Sequence, residues 1–161
     1  MVKQQAALAE TLTRTSNDTI HELLDRETAY VVVYPRNRAR RALLSLALDN
    51  INRQLYYYSL QDTDVDLSTW LANLANDPQF PDDFGHHVFD ALNQRGVMPE
   101  DLAHAFASDL ESLQSERFGL ILDELDRLLA DKENMGRFFT ELAVNIPSQA
   151  QIIIDGRQLH R

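Results

Sequence analysis

Asp123 and Glu124 are the residues best placed to do chemistry. They follow Phe118-Gly-Leu-Ile-Leu122, an apolar run that predicts a buried strand. In open α/β sheets ligands bind beyond the carboxyl ends of the strands. An acidic pair delivered there can hold a divalent cation and polarise a water. In that arrangement Asp123 is the metal ligand that orients the water, and Glu124 is the base. The same pattern arises where a strand runs into a helix N-terminus, because the helix dipole favours acids there. The pair alone does not separate the two readings.

A nucleotide hydrolase also needs a phosphate loop between its first strand and the following helix. That position reads Tyr34-Pro-Arg-Asn-Arg-Ala-Arg-Arg-Ala-Leu-Leu44, with no Gly, Lys, Ser or Thr. The chain has 5 glycines, and the first is Gly85, so composition excludes a glycine-rich loop anywhere in the first half. Arg36, Arg38, Arg40 and Arg41 cluster at the expected start of a helix, which suits an anion such as phosphate. They could equally pair with nearby acids such as Asp62, Asp64 and Asp123.

Other candidates carry less. His86 and His87 are adjacent, so on a helix they diverge by about 100° and make no i, i+4 metal pair; a surface or helix-packing role is expected. Ser45 and Ser59 have no evident His partner for a hydrolase triad. The Tyr56-Tyr57-Tyr58 run is expected to pack both sheet faces; stacking on nucleic acid would need a basic surround that is missing. With 0 cysteines, disulfide scaffolds, Cys-ligated zinc and thiol nucleophiles are excluded.

These residues must be held by a fold. At 161 residues one domain is expected. Ala29–Tyr34, Leu55–Ser59, Phe118–Leu122 and Gln151–Ile154 read as strands. Helices are expected over 2–13, from Ser16-Asn17-Asp18 to Leu24, and over 38–51, 67–76, 99–113 and 134–145. Another is expected from a cap at Asp82 or Asp83 to about Gln94, with Gly96 as its stop. Strands that are apolar on both faces and alternate with helices predict an α/β fold with a parallel sheet covered on both sides. The formal net charge of -10 disfavours direct nucleic-acid binding by this chain. No apolar run approaches the roughly 18–20 residues of a membrane span. The N-terminal residues lack the apolar stretch of a signal peptide, and a cytoplasmic location is expected.

In this order of blocks the chain resembles the nucleotide-binding core of the STAND class of signalling ATPases. The likeness is to the branch of the maltose-regulon activator and LuxR-type transcription regulators. Set against the family's Ala-Pro-Ala-Gly-x-Gly-Lys-Thr-Thr-Leu-Leu loop, Pro35 and Leu43-Leu44 coincide. Arg36 replaces Ala, Asn37 and Ala39 replace the glycines, Arg40 takes the Lys place and Arg41 the Thr place. Leu55–Asp64 is similar to the family's second strand, Leu120–Glu124 to its Walker B strand, and Gln151–Arg157 to its fourth strand, where Arg157 falls near a sensor arginine. The match covers roughly residues 20–161.

The resemblance implies a P-loop NTPase-like three-layer αβα sandwich over residues 1–161, with strands in spatial order 55–59, 118–122, 151–154, 30–34. Such a domain is either a segment of a larger regulator or a shortened relative. It also implies a nucleotide site at Arg36, Asn37, Arg38, Arg40, Arg41 and Arg157, with Asp123 as metal ligand and Asp123 and Glu124 as catalytic residues if the site is active. The departures argue for loss. Ala39 tolerates positive φ poorly, and Arg41 puts a cation where a hydroxyl should ligate Mg²⁺. The expected function is a degenerate signalling domain acting as scaffold or interaction module, with ATP or ADP bound weakly or not at all and Mg²⁺ poorly held. Protein partners or self-association are expected, and no membrane. The alternatives are an active ATP/ADP switch in a transcription activator and a stand-alone dimerisation module. Tyr30–Tyr34 would be a sheet edge, to be covered by the helix at 2–13 or by a second copy.

Overall fold

The computed structural model describes residues 30–33, 53–114 and 116–155. In these residues the chain is mixed α/β. Its elements are β1 (Tyr30–Val33), β2 (Gln54–Ser59), α1 (Leu67–Ala75), α2 (His86–Leu92), α3 (Pro99–Leu113), β3 (Phe118–Asp123), a 3-10 turn (Leu125–Asp131), α4 (Lys132–Asn145) and β4 (Ala150–Asp155). All pairings are parallel, in the order β1-β4-β3-β2. This is the expected order. The expected helices at 2–13, 38–51 and from Ser16-Asn17-Asp18 to Leu24 fall outside the described residues, and with them the expected cover of the outer side of β1.

The inner strand β3 is apolar on both faces, as strands of a parallel sheet covered on both sides are. All six positions of β3 are buried. Along a strand, side chains alternate between faces. Tyr56, Tyr58, Phe118, Leu120, Leu122, Ile152 and Ile154 share one face, and they form a single core with α1 to α4. Ile121 and Ile153 are also buried, on the opposite face. Gly119 points to that face too. A Cβ there would lie 2.7 Å from Leu55 Cδ2, so a larger residue would displace the end of the Leu55 side chain.

An aromatic chain ties the edge strand to the helices. Tyr56 stacks on Phe80 (5.0 Å) and Phe80 on Phe84 (4.4 Å); Phe84, Phe106, Phe138 and Trp70 continue it with centroids 5.7–6.3 Å apart. Gln79 Nε2 donates to the Tyr57 carbonyl at 2.8 Å. The loop after α1 thus lies along β2, the outermost described strand on that side, and takes up backbone that an edge would expose.

Local chemistry sets most helix boundaries. Asp66 caps α1: its carboxylate accepts from Thr69 N, and Thr69 Oγ1 accepts from Asp66 N. Pro99 opens α3 with Glu100 and Asp101 in its first turn. Ile146 is extended, as the residue before Pro147 should be, and α4 stops there. Glu100 pairs with Arg137 and His104 with Glu141, each partner four residues further along, so α3 and α4 run parallel.

The start of α2 differs from expectation. Neither Asp82 nor Asp83 caps it, and it ends at Leu92, before Gln94. Its N-cap is Gly85, in the left-handed region at φ 88°. A Cβ on Gly85 would lie 2.4 Å from Ala75 Cβ. The capping carboxylate comes from another helix. Asp109 of α3, 1% exposed, accepts from His87 N and Val88 N (both 3.0 Å) and from His87 Nδ1 (2.8 Å). Gly96 has positive φ, but in the turn beyond the helix.

Tyr58 and Asp64 form a second buried polar unit. Asp64 accepts from Tyr58 OH (2.9 Å), Gln61 N (2.7 Å) and Asn73 Nδ2 (2.7 Å). Burial pushes the Tyr58 hydroxyl well above the ordinary tyrosine value. Its hydrogen bond to Asp64 and the charge of that carboxylate push in the same direction. Folded Tyr58 keeps its proton where the unfolded chain loses it near pH 10. Its contribution is therefore complete below that pH and is lost as pH rises above it. In alkaline urea titrations Tyr58→Phe should lessen this fall in stability, at a cost of about 1 kcal/mol at neutral pH. An unaltered alkaline profile would remove Tyr58 as its source.

Candidate functional site

The acidic pair lies at the carboxyl end of the sheet. Ser59, Asp123 and Asp155 end their strands in register, and Leu60 N donates to the Asp123 carbonyl at 3.1 Å. Asp123 (4% exposed) and Glu124 (8%) are both buried.

Each carboxylate is engaged by a donor of this chain. Tyr57 OH donates to Asp123 Oδ2 at 2.6 Å. Arg127 Nε binds Glu124 Oε2 at 2.9 Å, and Arg127 Nη1 binds Asp62 Oδ1 at 2.8 Å. Tyr57 is 42% exposed, unlike Tyr56 and Tyr58. The tyrosine run therefore does not pack both faces as a core; its middle member supplies a hydroxyl to the site. The register makes this geometric, since Tyr57 pairs with Ile121 and so shares a face with Asp123, two residues on.

Glu124 is the one described non-glycine residue with positive φ, at φ 61° and ψ 29°. Such a conformation costs about 1–2 kcal/mol for an L-residue. The chain bears that strain at the exit of a strand whose six positions are all buried, and ligand sites commonly store such strain.

One oxygen of each carboxylate is taken by this chain, Glu124 Oε2 by a guanidinium and Asp123 Oδ2 by a phenol. Among the described residues Asp64 accepts from Tyr58, Gln61 and Asn73, and Asp62 pairs with Arg127; the expected pairing of Arg36, Arg38, Arg40 and Arg41 with these acids falls outside the described residues. Sequence reasoning missed Tyr57 and Arg127. The signals were the alternation of β2 and the i, i+3 spacing of Glu124 and Arg127.

Arg36, Asn37, Arg38, Arg40, Arg41 and Arg157 lie outside the described residues. β1 ends beside Asp155, with Val33 opposite it. The topology thus sends the chain into residues 34–41 from the same sheet edge that carries Asp123. Among the described residues no group of three or more His, Asp or Glu side chains could hold a metal ion. None of their helices is long and apolar enough to cross a membrane. Two surface grooves among the described residues lie away from the acidic pair. The larger, of 640 Å³, runs along α4 between Glu100, Lys132, Gly136, Arg137 and Thr140, and neither is lined by Asp123 or Glu124. His87 is engaged by Asp109, as helix packing predicted.

Comparison of the chain with protein-family models and with curated proteins finds no match.

Proposed function

We propose that this chain is a degenerate P-loop-like signalling domain that serves as a scaffold or interaction module, with nucleotide bound weakly or not at all. The observation that carries the reading is the engagement of both acids by their own chain, Asp123 by Tyr57 at 2.6 Å and Glu124 by Arg127 at 2.9 Å. Residues 34–44 lack the glycine, Lys, Ser and Thr from which a phosphate loop is made, and one oxygen of each acid is already taken. What remains is a parallel sheet whose carboxyl edge is held by internal pairs.

The rival reading is an active ATP/ADP switch. It rests on the buried strand that brings Asp123 and Glu124 to the edge where α/β proteins bind ligands. Phosphate release from ATP with Mg²⁺ should stay at background, and ATP titrated by calorimetry should give little or no heat. Turnover that disappears in Asp123→Asn would overturn the proposal in favour of the switch. If an anion protects the chain against thermal unfolding, Arg40→Ala should abolish that protection; unchanged protection would place the anion elsewhere.

A further inference from the structure

We infer that the smaller surface groove takes a cationic side chain, lysine or arginine, from a peptide segment of a protein partner. The inference rests on the reading of this chain as an interaction module, and it names what the module recognises. The groove, of 380 Å³, lies where α1, α3 and α4 begin, at Leu67, Pro99 and Lys132. Leu67, Val97, Met98, Pro99 and Leu102 supply its apolar lining. Met98 is 46% exposed, and Val65, one residue before the groove's Asp66, is 59% exposed. Two of the four large apolar side chains exposed among the described residues therefore gather here. Methionine is common at such surfaces, because its flexible thioether adapts to what it meets.

The charge of the groove is acidic. Asp66, Asp131 and Arg137 line it. Arg137 is held by Glu100, through Nε at 2.7 Å and Nη2 at 2.8 Å, so that pair adds no net charge. Asp66 accepts from Thr69 N, and Asp131 from Leu67 N and Asn134 Nδ2. These donors are neutral, and among the described residues no cation pairs with either carboxylate. Two negative charges beside apolar surface match a side chain that is apolar along its stem and positive at its tip. The helix starts offset part of the negative charge, so the expected affinity is low. A volume near the lower end of the usual range for ligand sites, about 300–1,000 Å³, suits one long side chain and its neighbours in an extended segment rather than a whole helix. The formal net charge of -10 works against a second copy, and against nucleic acid, as the occupant.

The test is a nuclear magnetic resonance titration of the full chain with three capped tripeptides, Leu-Arg-Leu, Leu-Gln-Leu and Leu-Glu-Leu. Leu-Arg-Leu should move the methyl signals of Val97, Met98 and Leu102 along a saturating curve at millimolar peptide. Leu-Gln-Leu should bind more weakly, and Leu-Glu-Leu should leave the signals in place. Added salt should weaken the arginine peptide and spare the glutamine one. Asp66→Asn removes one charge and keeps the cap of α1, because asparagine caps as well as aspartate. It should weaken Leu-Arg-Leu by about threefold. Groove signals that ignore Leu-Arg-Leu, that move equally with Leu-Glu-Leu, or that respond alike in Asp66→Asn would overturn the inference. So would signals that move on raising the protein concentration alone, which would give the groove to a second copy. The functional reading fails separately: ATP turnover lost in Asp123→Asn would sink it whatever the tripeptides do, and a groove that ignores them leaves it standing.

Discussion

Asp109→Ala should destabilise the folded chain by about 3 kcal/mol, read as a fall in the midpoint of urea unfolding. Asp109 is 1% exposed, and all three of its described hydrogen bonds go to the first turn of α2. Hydrogen bonds to a charged acceptor contribute about 1.5–3 kcal/mol each, and water can replace only part of the loss here. The Val88 N–H belongs to a residue that is 1% exposed, so it is left in the protein interior without an acceptor. The His87 groups are closer to solvent and recover more. His87→Ala removes only one of the three bonds and should cost about 1 kcal/mol or less. The order matters as much as the size. If His87→Ala costs as much as Asp109→Ala, the imidazole rather than the helix cap is the point of the contact. For a domain whose whole stability is about 5–15 kcal/mol, a loss of this size also lowers the amount of folded protein recovered.

Phe138→Ala should cost about 3–5 kcal/mol, among the largest single effects expected in the described core. Phe138 is fully buried and sits where the aromatic chain branches, against Trp70 (5.7 Å), Phe106 (6.0 Å) and Phe139 (5.2 Å). Three rings from three helices cannot all move into the space one ring leaves, so most of the cavity persists and adds to the lost transfer free energy. Val144 on the same helix is 81% exposed. Val144→Ala is the internal control and should change stability by less than about 0.5 kcal/mol. Equal effects at the two positions, by thermal or urea unfolding, would mean that α4 is not packed through Phe138.

Much of the architecture was legible in local sequence. The six residues of β3 are apolar but for a glycine and the final acid, and a strand buried on both faces belongs inside a sheet covered on both sides, which alternation with helices makes a parallel one. The start of α3 followed from Pro99-Glu100-Asp101, because proline and acids favour a helix N-terminus whatever surrounds it. The acidic pair at Asp123 and Glu124 was visible for the same reason: it directly follows the strand that positions it. The start of α2 was not legible. Asp82 and Asp83 are plausible caps by type, yet the acceptor is Asp109, 22 residues from His87.

The state of the candidate site was decided at longer range still. Sequence supplied two carboxylates at a sheet edge and left open whether they work as ligand and base. The sheet register then set Tyr57 beside Asp123, 66 residues away, and the turn after β3 carried Arg127 to Asp62, 65 residues away. Residue type fixes what a carboxylate can do in principle. Which donor reaches it depends on strand order and register, and these are set by how all the apolar faces pack at once rather than by any one stretch of chain.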